Sequence, residues 1–259
     1  MSFAQRLKTA MLASLVHLLA SALVGIIVAA VVFLVWYPYP YRELSGGREL
    51  FLLIVGIDLV CGPLLTLILF DKSKSSGELF RDLLLVVLIQ LSALGYGVFT
   101  VWSARPLFLV MEIDRFKVVA APDLQDSEVA SALAVLTPAL KPSIFGPPVV
   151  VAIRSPKNED ERTTVLAESV AGGRDYSLRP DFYIPYTGDS ARKSLVRSKP
   201  LTLFLKRWPR EQMNASTIAS KKSIDITMLK YVPVVGREDW IAVLDDQGRI
   251  QGFLKGDGF

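Results

Sequence analysis

MLASLVHLLASALVGIIVAAVVFLVWY, residues Met11–Tyr37, runs for 27 residues without a formal charge. As a helix rising ~1.5 Å per residue, it outreaches the roughly 30 Å hydrocarbon core of a bilayer and can cross with some tilt. Arg6 and Lys8 precede it. Ala20-Ser21-Ala22 looks like a signal-peptidase site, but the apolar run continues well past it, as a cleaved signal would not. The segment reads as an uncleaved anchor.

Two further apolar runs follow, near residues 50–70 and 83–102. Trp36 and Tyr37 close the first run, Tyr39 and Tyr41 stand just past it and Trp102 ends the third, a pattern read as amphipathic rings at one membrane interface. The linker 71–82 carries Lys72, Lys74 and Arg81. With Arg6 and Lys8 these make five basic residues on one side, against Arg42 and Arg48 in the other short loop. The positive-inside rule then places the N-terminus and the 71–82 loop in the cytoplasm. Three crossings deliver residues 104–259 outside, which in a Gram-negative inner membrane means the periplasm.

The distribution of charge agrees. Residues 1–103 hold 13 of the 54 charged side chains, and residues 104–259 hold 22 Lys/Arg against 19 Asp/Glu. The chain therefore divides into a membrane anchor, 1–103, and a periplasmic domain, 104–259, long enough for its own core. The net charge of +4 is mild, and no aromatic-interleaved basic motif speaks for nucleic acid.

Polar and small residues in the spans are patterned. Ala13, His17, Ser21, Gly25 and Ala29 recur every four residues in the first helix, Asp58, Gly62 and Thr66 in the second, and Gln90, Ala93 and Gly97 share a face of the third. Small residues let helices approach and polar ones bond across them, so a packed three-helix bundle is expected. Pro63 removes one backbone bond and should kink the second helix near Asp58. A mid-bilayer carboxylate costs a few kcal/mol, so Asp58 should face protein. It is either a proton-coupled group, a handle for another helix, or a neutral acid bonded to Gln90, Thr66 or His17. One acid without a second makes a poor relay, so the structural reading is preferred for Asp58 and for His17.

In the second part, Leu107–Ala120 reads as a strand, Glu128–Leu136 as a helix capped by Asp126 or Ser127, and Val149–Arg154 as a buried strand. Glu159-Asp160-Glu161 opens a helix ended by Gly172-Gly173. Residues 175–188 read as loop, with helical stretches near 190–196, 201–208 and 210–220. Trp240–Leu244, the turn Asp245-Asp246-Gln247-Gly248 and Arg249–Leu254 make a C-terminal β-hairpin. The expected class is α+β with an antiparallel sheet.

Residues 104–259 contain no His and no Cys, since the single His is His17 and the single Cys is Cys61. That excludes Ser-His-Asp and Cys-His nucleophilic sites and zinc sites built on those ligands. No Walker loop occurs, and no cofactor or metal is expected. The Asp245–Gly248 acids fit a turn better than calcium, the 159–161 acids fit a helix start, and Ser198-Lys199 and Ser220-Lys221 are chance neighbours. One stretch stands out. Ser190–Lys222 carries nine basic residues and one acid, with Arg192, Lys193, Arg197, Arg207 and Arg210 the candidates for binding a partner or anionic lipid headgroups. A solvated helix face with a buried apolar side explains the same pattern, and both readings stand.

The segments Trp36–Lys74, Arg81–Gly97 and Ala104–Val119 resemble the type IV pilin accessory proteins of the TfpX/TfpZ family. The matching positions are Trp36-Tyr37-Pro38, Gly46-Gly47, Asp58, Gly62-Pro63, Gln90, Ala104-Arg105-Pro106 and Asp114-Arg115-Phe116. The likeness covers about the first 120 residues. It implies a non-enzymatic inner-membrane helper for assembly or stability of a cognate pilin, and it carries no catalytic residues. Pilin subunits wait in the membrane as one apolar helix bearing a periplasmic head, so such a helper needs a transmembrane face and a periplasmic face. A second copy of the chain is an alternative partner. The rival functions are a membrane-anchored periplasmic ligand-binding sensor, for which the cytoplasmic loops are too short, and a membrane-embedded enzyme built on Asp58, which lacks a second catalytic group.

Overall fold

A computed structural model describes residues 3–124 and 127–259. Asp126, one of the two expected caps, lies outside them. The chain forms two compact units, one of Met1–Pro38 with Gly46–Ala104 and one of Tyr39–Ser45 with Arg105–Phe259.

The first unit is helical. Helix α1 spans Phe3–Val31 and runs into a π-helical turn, Val32–Trp36, closed by Tyr37 N–H donating to the Val32 carbonyl at 2.7 Å. A four-residue helix α2, Tyr41–Leu44, leads to α3, Gly47–Leu69, and α4 spans Ser76–Ser103. Ser75 starts α4 with a capping box: its hydroxyl accepts from Glu78 N–H, and the Glu78 carboxylate accepts from Ser75 N–H. Three helices, Ala4–Trp36, Gly47–Leu69 and Ser76–Ser103, are long and apolar enough to cross a membrane.

The second unit is built on an eight-stranded sheet: β1 Pro106–Met111, β2 Phe116–Ala120, β3 Val149–Ile153, β4 Tyr183–Pro185, β5 Lys199–Pro200, β6 Lys230–Val235, β7 Trp240–Leu244 and β8 Ile250–Lys255. Their order is β4-β3-β1-β2-β6-β7-β8, with β5 on β6. The sheet is mixed rather than antiparallel, because β1 pairs β3 and β2 pairs β6 in parallel. Each parallel pair needs a crossover, and the chain supplies helices for it: α5 Ser127–Ala134 between β2 and β3, and α6 Glu159–Val170, α7 Asp189–Ser194, α8 Leu201–Arg207 and α9 Gln212–Lys222 before β6.

Other sequence expectations shift for local reasons. The single strand expected over Leu107–Ala120 folds back on itself, with Glu112 N–H donating to the Arg115 carbonyl across the turn. Residues 183–185, read as loop, pair with β3. Strand β6 lies in residues 221–239, a stretch with no expected element, and it contains Pro233. That proline falls between the positions that pair β5 (Lys230, Tyr231) and those that pair β2 (Val234, Val235).

Side chains alternate across the sheet. Leu109, Met111, Val232, Val234, Ala242 and Leu244 face one side, where Tyr41 and Leu44 of α2 pack on them. Tyr231, Ile241 and Val243 face the other side under Phe204, Leu205, Ala215 and Ala219 of α8 and α9. So the segment joining α1 to α3 belongs to the core of the second unit. Arg237 N–H donates to the Leu44 carbonyl at 2.6 Å. Tyr41, expected in a layer of interfacial rings, is instead 7% exposed inside protein, and Tyr37 is 1% exposed within the helical unit.

Candidate functional site

In the helical unit, α3 packs against both α1 and α4. Glycines set the spacing. A Cβ at Gly25 would come within 3.2 Å of Val55, one at Gly97 would overlap Ile54, and one at Gly62 would overlap the Gln90 carboxamide. A Cβ at Gly47 would overlap the Tyr37 ring, whose hydroxyl donates to the Val101 carbonyl at 2.9 Å. On α4 the buried positions are Val86, Gln90, Leu94, Gly97 and Val101, while Ala93 is exposed.

The polar residues of the spans meet across these contacts. His17 Nδ1 and Thr66 Oγ1 share a hydrogen bond of 2.5 Å, and Thr66 is 2% exposed. Ser14 donates to the carbonyl of Pro63 at 2.8 Å, so the proline stands inside α3 on its α1 side. Gln90 Nε2 donates to the Asp58 carbonyl at 3.2 Å. Asp58 is the twelfth of the 23 residues of α3, midway along it, and only partly buried. His17, Ser21, Asp58, Thr66 and Gln90 all line a trough of about 600 Å³ walled by α1 and α4. The arrangement ties helices together by hydrogen bonds. As an acid-base system it is thin, with one carboxyl and one imidazole, the imidazole already bonded to Thr66.

The basic candidates lie in the second unit, all exposed, and they are not alike. Arg207 donates to Asp257 Oδ2 and to the Phe259 carbonyl, both at 2.7 Å, and Trp208 Nε1 donates to the Asp257 carbonyl at 3.2 Å. These bonds fasten the C-terminal residues to α8. Arg192 donates to Gln247 Oε1 at 3.1 Å, joining α7 to the β7–β8 turn. Lys193, Arg197 and Arg210 are exposed on α7, after it, and just before α9.

Residues weighed for chemistry have structural tasks. Asp245, 2% exposed, accepts from Gln247 N–H and Arg249 N–H with one oxygen and from Arg249 Nε and Gln251 Nε2 with the other, at 2.7 to 2.9 Å. Burial alone would raise its pKa, but these donors hold it below the usual carboxylate range. Glu161 receives both Arg154 guanidinium nitrogens and is held down to about 2, with the Lys157 N–H adding to the effect. Ser198 donates to the Leu195 carbonyl while Lys199 reaches the Gly258 carbonyl, so the two form no dyad. A second hollow, about 470 Å³, is lined by Glu112, Asp114, Arg115, Arg154, Asp175 and Tyr176 among others. Among the described residues no group of three or more His, Cys, Asp or Glu is placed to hold a metal ion.

Comparison with known proteins gives a consistent result. The family model described as "Fimbrial assembly protein FimB" matches residues 5–46. The chain is 33% identical over 247 residues to the fimbrial assembly protein of serogroup I from Dichelobacter nodosus, covering 94% of each chain. It is 32% identical over the same length to the serogroup E1 protein of that organism, again with 94% of each covered. The protein of serogroups C1 and C2 is 41% identical over 117 residues, which is 45% of this chain and 89% of that one. No solved structure matches.

Proposed function

Since the chain belongs to the fimbrial assembly protein family, we propose that it is a pilus-assembly accessory protein, held in the inner membrane and serving a type IV pilin subunit. The observation that carries this reading is similarity along 94% of both chains, which takes in the helical unit and the sheet unit together. The narrower resemblance to the TfpX/TfpZ accessory proteins is of the same kind and concerns the first 120 residues.

The topology proposed from the basic residues has internal support. Arg6 pairs with Asp71 at 3.1 Å and its guanidinium reaches the Ile68 carbonyl, which brings the N-terminal end beside the 71–82 loop. Tyr39–Ser45 folds with residues 105–259. Three crossings require both pairings: the first two features share one side of the membrane and the last two the other. With five basic residues against two, the Arg6 side is cytoplasmic and the sheet unit periplasmic. The role needs two binding faces and no catalytic group. In the sheet unit, Lys193, Arg197 and Arg210 form the docking candidate, because Arg192 and Arg207 are engaged within the fold.

Co-purification tests the reading. The tagged chain, extracted in mild detergent from membranes that contain its pilin, should retain that pilin, whereas an unrelated three-span protein should not. Equal recovery from both would remove the partner.

A further inference from the structure

We propose that the trough between α1 and α4 is the seat of one transmembrane helix of the pilin client, gripped by a hydrogen-bond donor at the depth of Asp58. The proposal rests on the accessory role argued above and goes further by assigning the site and the chemistry of its occupant.

The trough is an open groove between two helices, long enough to take one face of another. Helices α1 and α4 each lie on α3 and leave a channel of about 600 Å³ between them. Its α1 wall is the stripe Leu12, Val16, Ala20 and Val24, four residues apart, so it extends for roughly 18 Å along one helix face. Leu83, Val87, Leu91 and Leu94 line the α4 wall. A helix laid there would touch all three helices of the unit and complete a four-helix arrangement.

The chemistry of the floor separates a protein occupant from lipid. Asp58, His17, Ser21, Thr66 and Gln90 lie among the apolar residues of the channel, with Thr9 and Lys72 also lining it, and Asp58 is only partly buried. An acyl chain offers these groups nothing, and a carboxyl facing hydrocarbon is among the costliest arrangements in a membrane. A helix bearing a donor side chain at that depth satisfies the carboxyl. The occupant is therefore a largely apolar helix with a polar side chain at the depth of Asp58, not a lipid tail and not a uniformly apolar helix.

Photo-crosslinking in native membranes tests the seat. Benzoyl-phenylalanine is placed at Val16 or Val87 in the trough, or at Ile26 or Ile89, which are exposed and outside it. Adducts are probed with pilin antiserum and their size compared with that of the chain. The expected result is a pilin adduct from Val16 and Val87, several-fold stronger than from Ile26 and Ile89, and reduced by Asp58→Leu at equal protein level. Pilin adducts of equal strength at all four positions would overturn the seat while leaving the accessory role standing. Adducts at the mass of a second copy of this chain, or none from either trough position, would overturn the proposal, and pilus counts in a deletion strain would then judge the accessory role separately.

Discussion

Gly62 and Gln90 occupy one space: a Cβ on residue 62 would overlap the Gln90 carboxamide, which reaches past it to the carbonyl of Asp58. The closeness of α3 and α4 thus depends on the missing side chain as much as on the hydrogen bond. Gly62→Ala should destabilise the full chain by about 1–3 kcal/mol, the usual range for overpacking a tight contact. Thermal inactivation in detergent measures it. Adding Gln90→Ala removes the obstacle, so the double variant should recover part of the loss, and strict additivity would show that the two residues do not meet.

Leu44 is fully buried against the sheet although it belongs to the segment between the first two long helices. Leu44→Ala should cost about 2–5 kcal/mol by cavity formation, and the cost should fall on the sheet unit. Limited proteolysis of the full chain distinguishes the units. Residues 105–259 should be cut faster while a fragment of α1, α3 and α4 persists. Unchanged digestion would remove α2 from the core.

The three long helices are legible in composition, since apolar runs of twenty or more residues have few other uses. The place of α2 is not, because Tyr41 beside Trp36 and Tyr37 looks like one more interfacial ring and its sheet partners lie some seventy to two hundred residues further on. The turn between β1 and β2 offers Asp114 alone of the residues that mark a hairpin, with no Gly, Asn or Pro beside it, so Leu107–Ala120 reads as unbroken. Strand β6 carries Pro233 within it, which disfavours a central strand by local rules, yet the register accommodates it opposite Ile241. For the candidate site, the helical spacing of His17, Asp58, Thr66 and Gln90 is visible in sequence, but which groups bond, and that they line a trough, depends on the packing of three helices. Likewise the count of basic residues cannot tell that Arg192 and Arg207 are bonded within the fold.

Asp245 predicts an acid response. Its folded pKa is depressed, so it contributes stability above the unfolded carboxyl value of about 3.9 and loses that contribution as pH falls through the folded value. Asp245→Asn, which keeps the size but turns an amide towards four donors, should cost about 2 kcal/mol at neutral pH. The gap between wild type and variant in thermal melts should narrow below about pH 4. A gap constant down to pH 3 would mean that the carboxylate charge is not what stabilises the turn.

Reporter fusions decide the orientation. Alkaline phosphatase joined after Phe259 should be active, and joined after Ser75 it should be inactive, because the second site lies on the five-residue basic side. Activity after Ser75 with none after Phe259 would invert the protein and place the sheet unit in the cytoplasm.

The central claim is that this chain supports assembly of a pilus. The most direct measurement counts surface pili by electron microscopy in a strain lacking the chain, in its parent and in the strain with the chain restored, with pilin transcript and total pilin followed in parallel. The account predicts a loss of assembled pili at unchanged transcript, restored by the full chain. Pili as numerous in the deletion strain as in the parent, with its pilin expressed and no related protein substituting, would contradict it.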